Sequence, residues 1–163
     1  MKPMFKKILA AVDGSPRTPE VLRAAVQIAY RFDGAVHLFR AVAVPPEFPA
    51  AARNRPDVVP ALLEAEAREK LEALARTSSR IVVEAPDLDT PQPWRAILAA
   101  AERLRVDLIV IGSHGYHGWD RILGTTAAKV TDHADRNVLV VHVGGPGAVI
   151  ELDPGRSRAG EVA

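Results

Sequence analysis

Residues 109–142 read IVIGSHGYHGWDRILGTTAAKVTDHADRNVLVVH. An apolar run, a glycine-rich turn, a segment of helical length and a second apolar run follow one another. The stretch therefore reads as a buried strand, a loop, a helix and another buried strand. The runs LIVI and VLVV are too continuously apolar for strands with one wet face, and fit a parallel sheet covered on both sides. Gly112, Gly115 and Gly124, followed by Thr125 and Thr126, put bare backbone amides and hydroxyls where the helix begins. Such a start carries partial positive charge and unpaired amides, which suits a phosphate group.

Outward from this segment the same alternation repeats toward the N-terminus. Lys7 to Val12 is a short apolar run, Pro19 to Phe32 carries Leu22, Ala25, Val26 and Ala29 at helical spacing, and Ala35 to Val42 is apolar again. Residues 43–56 hold several prolines and predict a loop. Asp57 to about Thr77 predicts an amphipathic helix through Val59, Leu63, Ala67, Leu71 and Leu74. Arg80 to Glu84 predicts a third strand, the proline-rich PDLDTPQP a connection, Trp94 to Leu104 a third helix and Val106 to Ile111 a fourth strand. Thr125 to about Asp135 and Asn137 to Val143 close the series as a helix and a fifth strand. The expected fold is α/β, a three-layer sandwich around a parallel sheet, with ligands at the carboxyl ends of the strands. Residues 1–144 are expected to form one domain and 145–163 a flexible tail without sustained periodicity.

Bulk properties exclude more than they assign. With 21 basic and 20 acidic residues the formal charge is +1, which supplies no global field for nucleic acid or an anionic membrane, so any anion site is local. The chain has no cysteine, which excludes disulfides and thiolate chemistry and fits a reducing cytoplasm. The apolar run Ile8 to Val12 is cut short by Asp13, too early for a signal peptide, and no stretch has the length of a membrane span.

Two loops at the carboxyl edge are candidate site elements. In Asp13-Gly14-Ser15-Pro16, Asp13 either faces a ligand sugar or simply makes the turn, with Ser15 before Pro16 or Thr18 before Pro19 capping the next helix. In the glycine loop, His114 lies between Gly112 and Gly115 and reads as a neutral donor beside phosphate or a packing group. His114 and His117 lack the further ligands a zinc site needs. His37, His133 and His142 read as surface residues. A Walker loop, a dinucleotide fingerprint after the first strand and a G-x-S-x-G elbow are all absent, which argues against a hydrolase or dehydrogenase.

In KKILAAVDGS, DLIVIGSHG, GTTAAKV and NVLVVH, spread over Phe5 to about Val143, the chain resembles the universal stress proteins. That resemblance implies a nucleotide-binding, Rossmann-like five-stranded parallel sheet of order 3-2-1-4-5 and a homodimer through the last strand, Val138 to Val143, an apolar edge. The ATP-binding members carry Gly-x2-Gly-x9-Gly-Ser/Thr. Here Gly112 and Gly115 match, while eight residues separate Gly115 from Gly124, a shortening that a tighter turn at Gly118 can absorb. By matching positions, Ala11, Val12 and Asp13 would border adenosine, and Ala41 would offer backbone to the adenine edge. Ile111, Gly112, His114 and Gly115 would line the sugar and first phosphates, and Gly124, Thr125, Thr126 and Ala127 the terminal phosphates. The ligand implied is ATP, or AMP or ADP, with magnesium carried by the nucleotide. The expected role is a cytoplasmic nucleotide-dependent switch or scaffold in stress response rather than an enzyme. A nucleotide-free dimeric interaction module is one alternative. A weak ATPase or autophosphorylating protein is the other, and the sequence assigns no base for it.

Overall fold

A computed structural model of the chain describes residues 4–42, 58–113 and 125–142. The elements run β1 (Lys7–Ala11), α1 (Thr18–Phe32), β2 (Ala35–Phe39), α2 (Val58–Ala75), β3 (Ile81–Val83), α3 (Pro93–Leu104), β4 (Leu108–Gly112), α4 (Thr125–His133) and β5 (Asn137–Val141). All strand pairs are parallel, and the sheet order is β3-β2-β1-β4-β5, the order the resemblance implied. Among the described residues no helix is long and apolar enough to cross a membrane.

The continuous apolar runs of β1 and β4 are explained by two cores, one on each face of the sheet, whereas β5, expected to be covered on both sides, is only partly buried because it is the sheet edge and leaves Leu139 exposed. Ile8, Ala10, Val36, Leu38, Leu108 and Val110 pack under α1 and α2, against Leu22, Ala25, Ala29 and Leu71. Leu9, Ala11, Phe39, Ile109 and Ile111 point the other way, against Ala96, Ile97 and Ala100 of α3 and Val130 of α4. Successive residues of a strand face opposite sides, so only a strand apolar at every position can bury both. On α2 the solvent face is laced by i,i+4 pairs, Glu64 with Arg68 and Glu66 with Lys70, exposed and screened by water so that each adds little to stability.

At the amino edge the chain is stapled where β1, β2 and β4 begin. Asp107 accepts the amides of Lys6 at 3.0 Å and Lys7 at 3.2 Å, locking β1 beside β4. Asp33, held below the usual carboxylate range by its hydrogen bond to Arg80 and by Lys6, ties the end of α1 to the strand β3 side. The opposite ends of the same strands are thereby aligned in one row, Phe39, Ala11, Ile111 and Val140.

Several expected boundaries move. β2 stops at Phe39 rather than Val42, because Ala41 leaves the ladder to bridge Asp87. β5 ends at Val141, and Val143 lies outside the described residues. The helix expected to reach Asp135 ends at His133, after which Arg136 turns inward to donate to Ala101 O at 2.6 Å and Val106 O at 3.1 Å. Neither Ser15 nor Thr18 holds the cap position of α1; Arg17 does, and its side chain makes no capping bond. His37 is not a surface residue. It is half-buried on β2, 2.7 Å from Glu84, which Arg103 approaches from α3 at 3.7 Å. Residues 43–57, His114, Gly115, Gly124 and the tail from 143 lie outside the described residues.

Candidate functional site

The sheet changes direction between β1 and β4: the chain moves from β1 outward through β2 to β3, then returns to place β4 on the other side. Connections leave these two strands on opposite faces, so a crevice opens beyond their carboxyl ends. Here it is a cleft of about 370 Å³, within the range of small-molecule sites. Ala11, Val12 and Asp13 enter it from β1, and Ile111, Gly112 and Ser113 from β4. Thr18 and Val21 of α1 form one wall, Pro93 and Ile97 of α3 the other, and Thr126 of α4 reaches in from the second face.

Each loop is shaped by short polar bonds. Asp13 accepts the Ser15 amide at 2.9 Å, and Ser15 Oγ accepts the Arg17 amide at 3.3 Å. Gly14 has φ +76°, a conformation that favours glycine, and the guanidinium of Arg40 fills the space a Cβ would take, 3.0 Å from that position. Beyond β2, Arg40, Ala41 and Val42 are held in the cleft by Asp87. Its backbone exchanges bonds with Arg40 O at 3.1 Å and the Val42 amide at 2.8 Å, and its carboxylate accepts the amides of Asp89 and Thr90. Arg40 also lies near Glu66 of α2, whose carboxyl is lowered chiefly by its hydrogen bond to Lys70, with Arg40 adding a smaller pull.

Gly112 is used for close approach, not for an unusual φ. It is the last residue of β4, paired with Val141, and a Cβ there would stand 3.0 Å from Val21 Cγ2. Ser113, 5% exposed, follows it, donating its amide to Val141 O at 2.9 Å. Its hydroxyl lies 2.9 Å from His142 Nδ1 and 3.4 Å from Val141 O. A serine hydroxyl beside an exposed imidazole has a proton acceptor at hand.

Of the residues singled out from the sequence, Ala11, Val12, Asp13, Ala41, Ile111, Gly112 and Thr126 meet on this cleft. Thr125 begins α4, and Ala127 in its first turn is buried in the second core beneath the cleft. His114, Gly115 and Gly124 lie outside the described residues. Sequence reasoning missed Arg17, Arg40, Val42, Pro93, Ile97 and Ser113. Pro93 and Ile97 carried an available signal, since every strand-to-helix connection of a parallel sheet emerges at the carboxyl edge. The Ser113–His142 pair carried none, its members being 29 positions apart.

Fold and cleft together define a doubly wound α/β fold with a crevice at the switch point. The chain belongs to the universal stress protein family, whose model matches residues 4–142. Universal stress protein A homolog 1 of Coxiella burnetii is 32% identical over 139 residues, covering 84% of this chain and 96% of that protein. A universal stress protein of Methanocaldococcus jannaschii is 32% identical over 140 residues, covering 85% and 82%. Among solved structures, the universal stress protein UspA from Lactobacillus plantarum is similar with a TM-score of 0.65, 28% identity and coverage of 85% and 98%. A universal stress protein in complex with cAMP shares the fold, with a TM-score of 0.56, 22% identity and coverage of 85% and 98%.

Proposed function

We propose that the cleft binds an adenine nucleotide, ATP with its magnesium or AMP or ADP, and that the chain is a cytoplasmic nucleotide-dependent switch or scaffold of the ATP-binding subgroup. The observation that carries this reading is the convergence on one cleft of the Asp13 loop, Ala41, Gly112 and Thr126, parts of the chain up to 113 residues apart. The lining suits a phosphate-bearing ligand: Arg17 and Arg40 set two guanidinium groups against the single carboxylate of Asp13, and Gly112 leaves space a Cβ would close. The first amides of α4 at Thr125 to Ala127 would meet terminal phosphates, with His114, Gly115 and Gly124 contributing from the glycine loop. Ala11, Val12 and Ile111 would supply the apolar side of the adenosine pocket. The protein solved in complex with cAMP has a nucleotide ligand on the same fold.

Thermal unfolding checks this. A ligand present at about a hundred times its Kd stabilises the folded state by about 2.7 kcal/mol, so millimolar Mg-ATP raises the melting temperature by several degrees. An unchanged melting temperature, together with no nucleotide released from natively purified protein, favours the nucleotide-free interaction module. The protomer also pairs with a second copy through β5, an edge strand whose Leu139 is 37% exposed. Light scattering then returns twice the chain mass; a single-chain mass sinks the dimer.

A second reading, slow phosphoryl transfer to the protein itself, is favoured by Ser113 and His142. Ser113 Oγ would attack the terminal phosphorus as ADP leaves with the bridging electron pair, and His142 Nδ1, 2.9 Å away, would take the hydroxyl proton. Intact-mass measurement after incubation with Mg-ATP detects one added phosphoryl group that Ser113→Ala lacks. An unmodified wild-type mass rejects this activity while leaving nucleotide binding intact.

A further inference from the structure

The first turn of α1 carries a hydroxyl that folding does not explain. Thr18 is 5% exposed, lines the cleft, and its Oγ1 is buried with no hydrogen-bond partner. Buried hydroxyls are paired in the great majority of cases, and one left unpaired works against stability. Capping does not account for it, because the backbone closes this turn by itself. Thr18 N donates to Ser15 O at 3.0 Å, Glu20 N and Val21 N donate to Arg17 O at 3.1 and 3.3 Å, and Pro19 has no amide. The helix start thus presents side chains, rather than open amides, to whatever occupies the cleft.

Position and charge narrow the occupant. Thr18 is three residues before Val21 and so shares its helix face. Val21 is the residue whose Cγ2 a Gly112 Cβ would meet, which sets Thr18 on the wall beside the end of β4. Arg17 and Arg40 line the same cleft, and a guanidinium offers donors and no acceptor. The nearby carboxylate, Asp13, already accepts the Ser15 amide with one oxygen. A hydroxyl able to donate, in a cleft that two cationic residues also line, matches an anionic oxygen.

We propose that Thr18, with Arg17 and Arg40, holds the phosphate nearest the sugar of a nucleoside 5′-phosphate. The Thr18 hydroxyl donates to a phosphate oxygen and the guanidinium groups balance its charge. Part of the phosphate recognition thereby comes from α1, in a chain whose glycine loop has eight residues between Gly115 and Gly124. The proposal rests on the nucleotide reading above and adds a group to it that the glycine loop does not supply.

The test pairs two probes, AMP and adenosine, which differ only in the phosphate, titrated into the wild-type chain, Thr18→Val and Arg40→Gln. In Thr18→Val the Kd for AMP rises about tenfold, as expected for one lost bond to a charged group, and the Kd for adenosine is unchanged. Without ligand, Thr18→Val melts at or above the wild-type temperature, because valine fills the same space without an unpaired polar atom. Arg40→Gln likewise weakens AMP alone and flattens the dependence of its affinity on salt. The proposal is overturned if Thr18→Val leaves AMP affinity unchanged, weakens AMP and adenosine equally, or lowers the melting temperature of the unliganded chain. Wild-type protein that binds neither probe removes the nucleotide reading and this proposal together, a result distinct from the other three.

Discussion

Gly34→Ala lowers the stability of the folded chain by about 2–3 kcal/mol, the upper range for forcing extra volume into a packed site. Gly34 follows Asp33, which ends α1 in a left-handed conformation at φ 50°, and its amide closes the helix by donating to Ala29 O at 2.8 Å. The segment leading into β1 crosses directly over it. A Cβ at Gly34 would stand 2.4 Å from Phe5 O and 2.9 Å from Lys6 O. Both are backbone atoms, and Lys6 O already accepts the Ala35 amide at 2.9 Å, so relief requires moving the start of β1 or β2. Phe5 has little slack, being at φ 58° with its ring edge-on to Phe32. For a chain of this size the melting temperature falls by about 5–10 °C. Urea unfolding with an unchanged slope measures the loss directly. A melting temperature equal to wild type would show that the crossing yields without cost.

Gly112→Val abolishes ligand binding at the cleft while leaving a folded protein. Valine suits a strand, and Gly112 is extended within the β4–β5 ladder, so secondary structure persists. Its Cβ, however, meets Val21 Cγ2 at 3.0 Å, and the two further methyls must enter the space between α1 and the end of β4. Val21 and Gly112 both line the cleft, so the added methyls narrow it. The affinity for Mg-ATP falls by on the order of a hundredfold or more, about 2.7 kcal/mol. Near-wild-type circular dichroism with retained tight binding would place the ligand elsewhere. The two glycine substitutions separate the ends of the sheet: one costs stability at the amino edge, the other costs binding at the carboxyl edge.

The fold was legible because burial on both faces demands apolar residues at every position, and LIVI at Leu108–Ile111 meets that demand visibly, while VLVV at Val138–Val141 is just as apolar but forms an edge strand that is only partly covered. Boundaries were less legible where a distant residue decides them. Ala35 to Val42 reads as one run, and nothing local shows that Asp87 draws Ala41 out of the β2 ladder. The ends of α1 and α3 are left-handed Asp33 and Arg105, residues that give no glycine signal at the cap itself. In the cleft, Asp13 was readable because it sits in a turn with Gly14, and Gly112 because a glycine ends the apolar run of β4. Arg40 was not, since only the fold lays it over Gly14. Thr18 was read as a possible cap because a threonine before proline is the usual sign of one. The backbone closes that turn without it, leaving its hydroxyl buried and unpaired in a residue that lines the cleft.

Calorimetric titration of Mg-ATP into the wild-type chain bears most directly on the claim that the switch-point cleft is a nucleotide site. The predicted result is saturable binding of one nucleotide per protomer with a Kd below about 1 mM, equivalent to roughly 4 kcal/mol or more, and its loss in Gly112→Val. Titration that shows no saturable heat up to millimolar nucleotide, or equal binding by wild type and Gly112→Val, contradicts it.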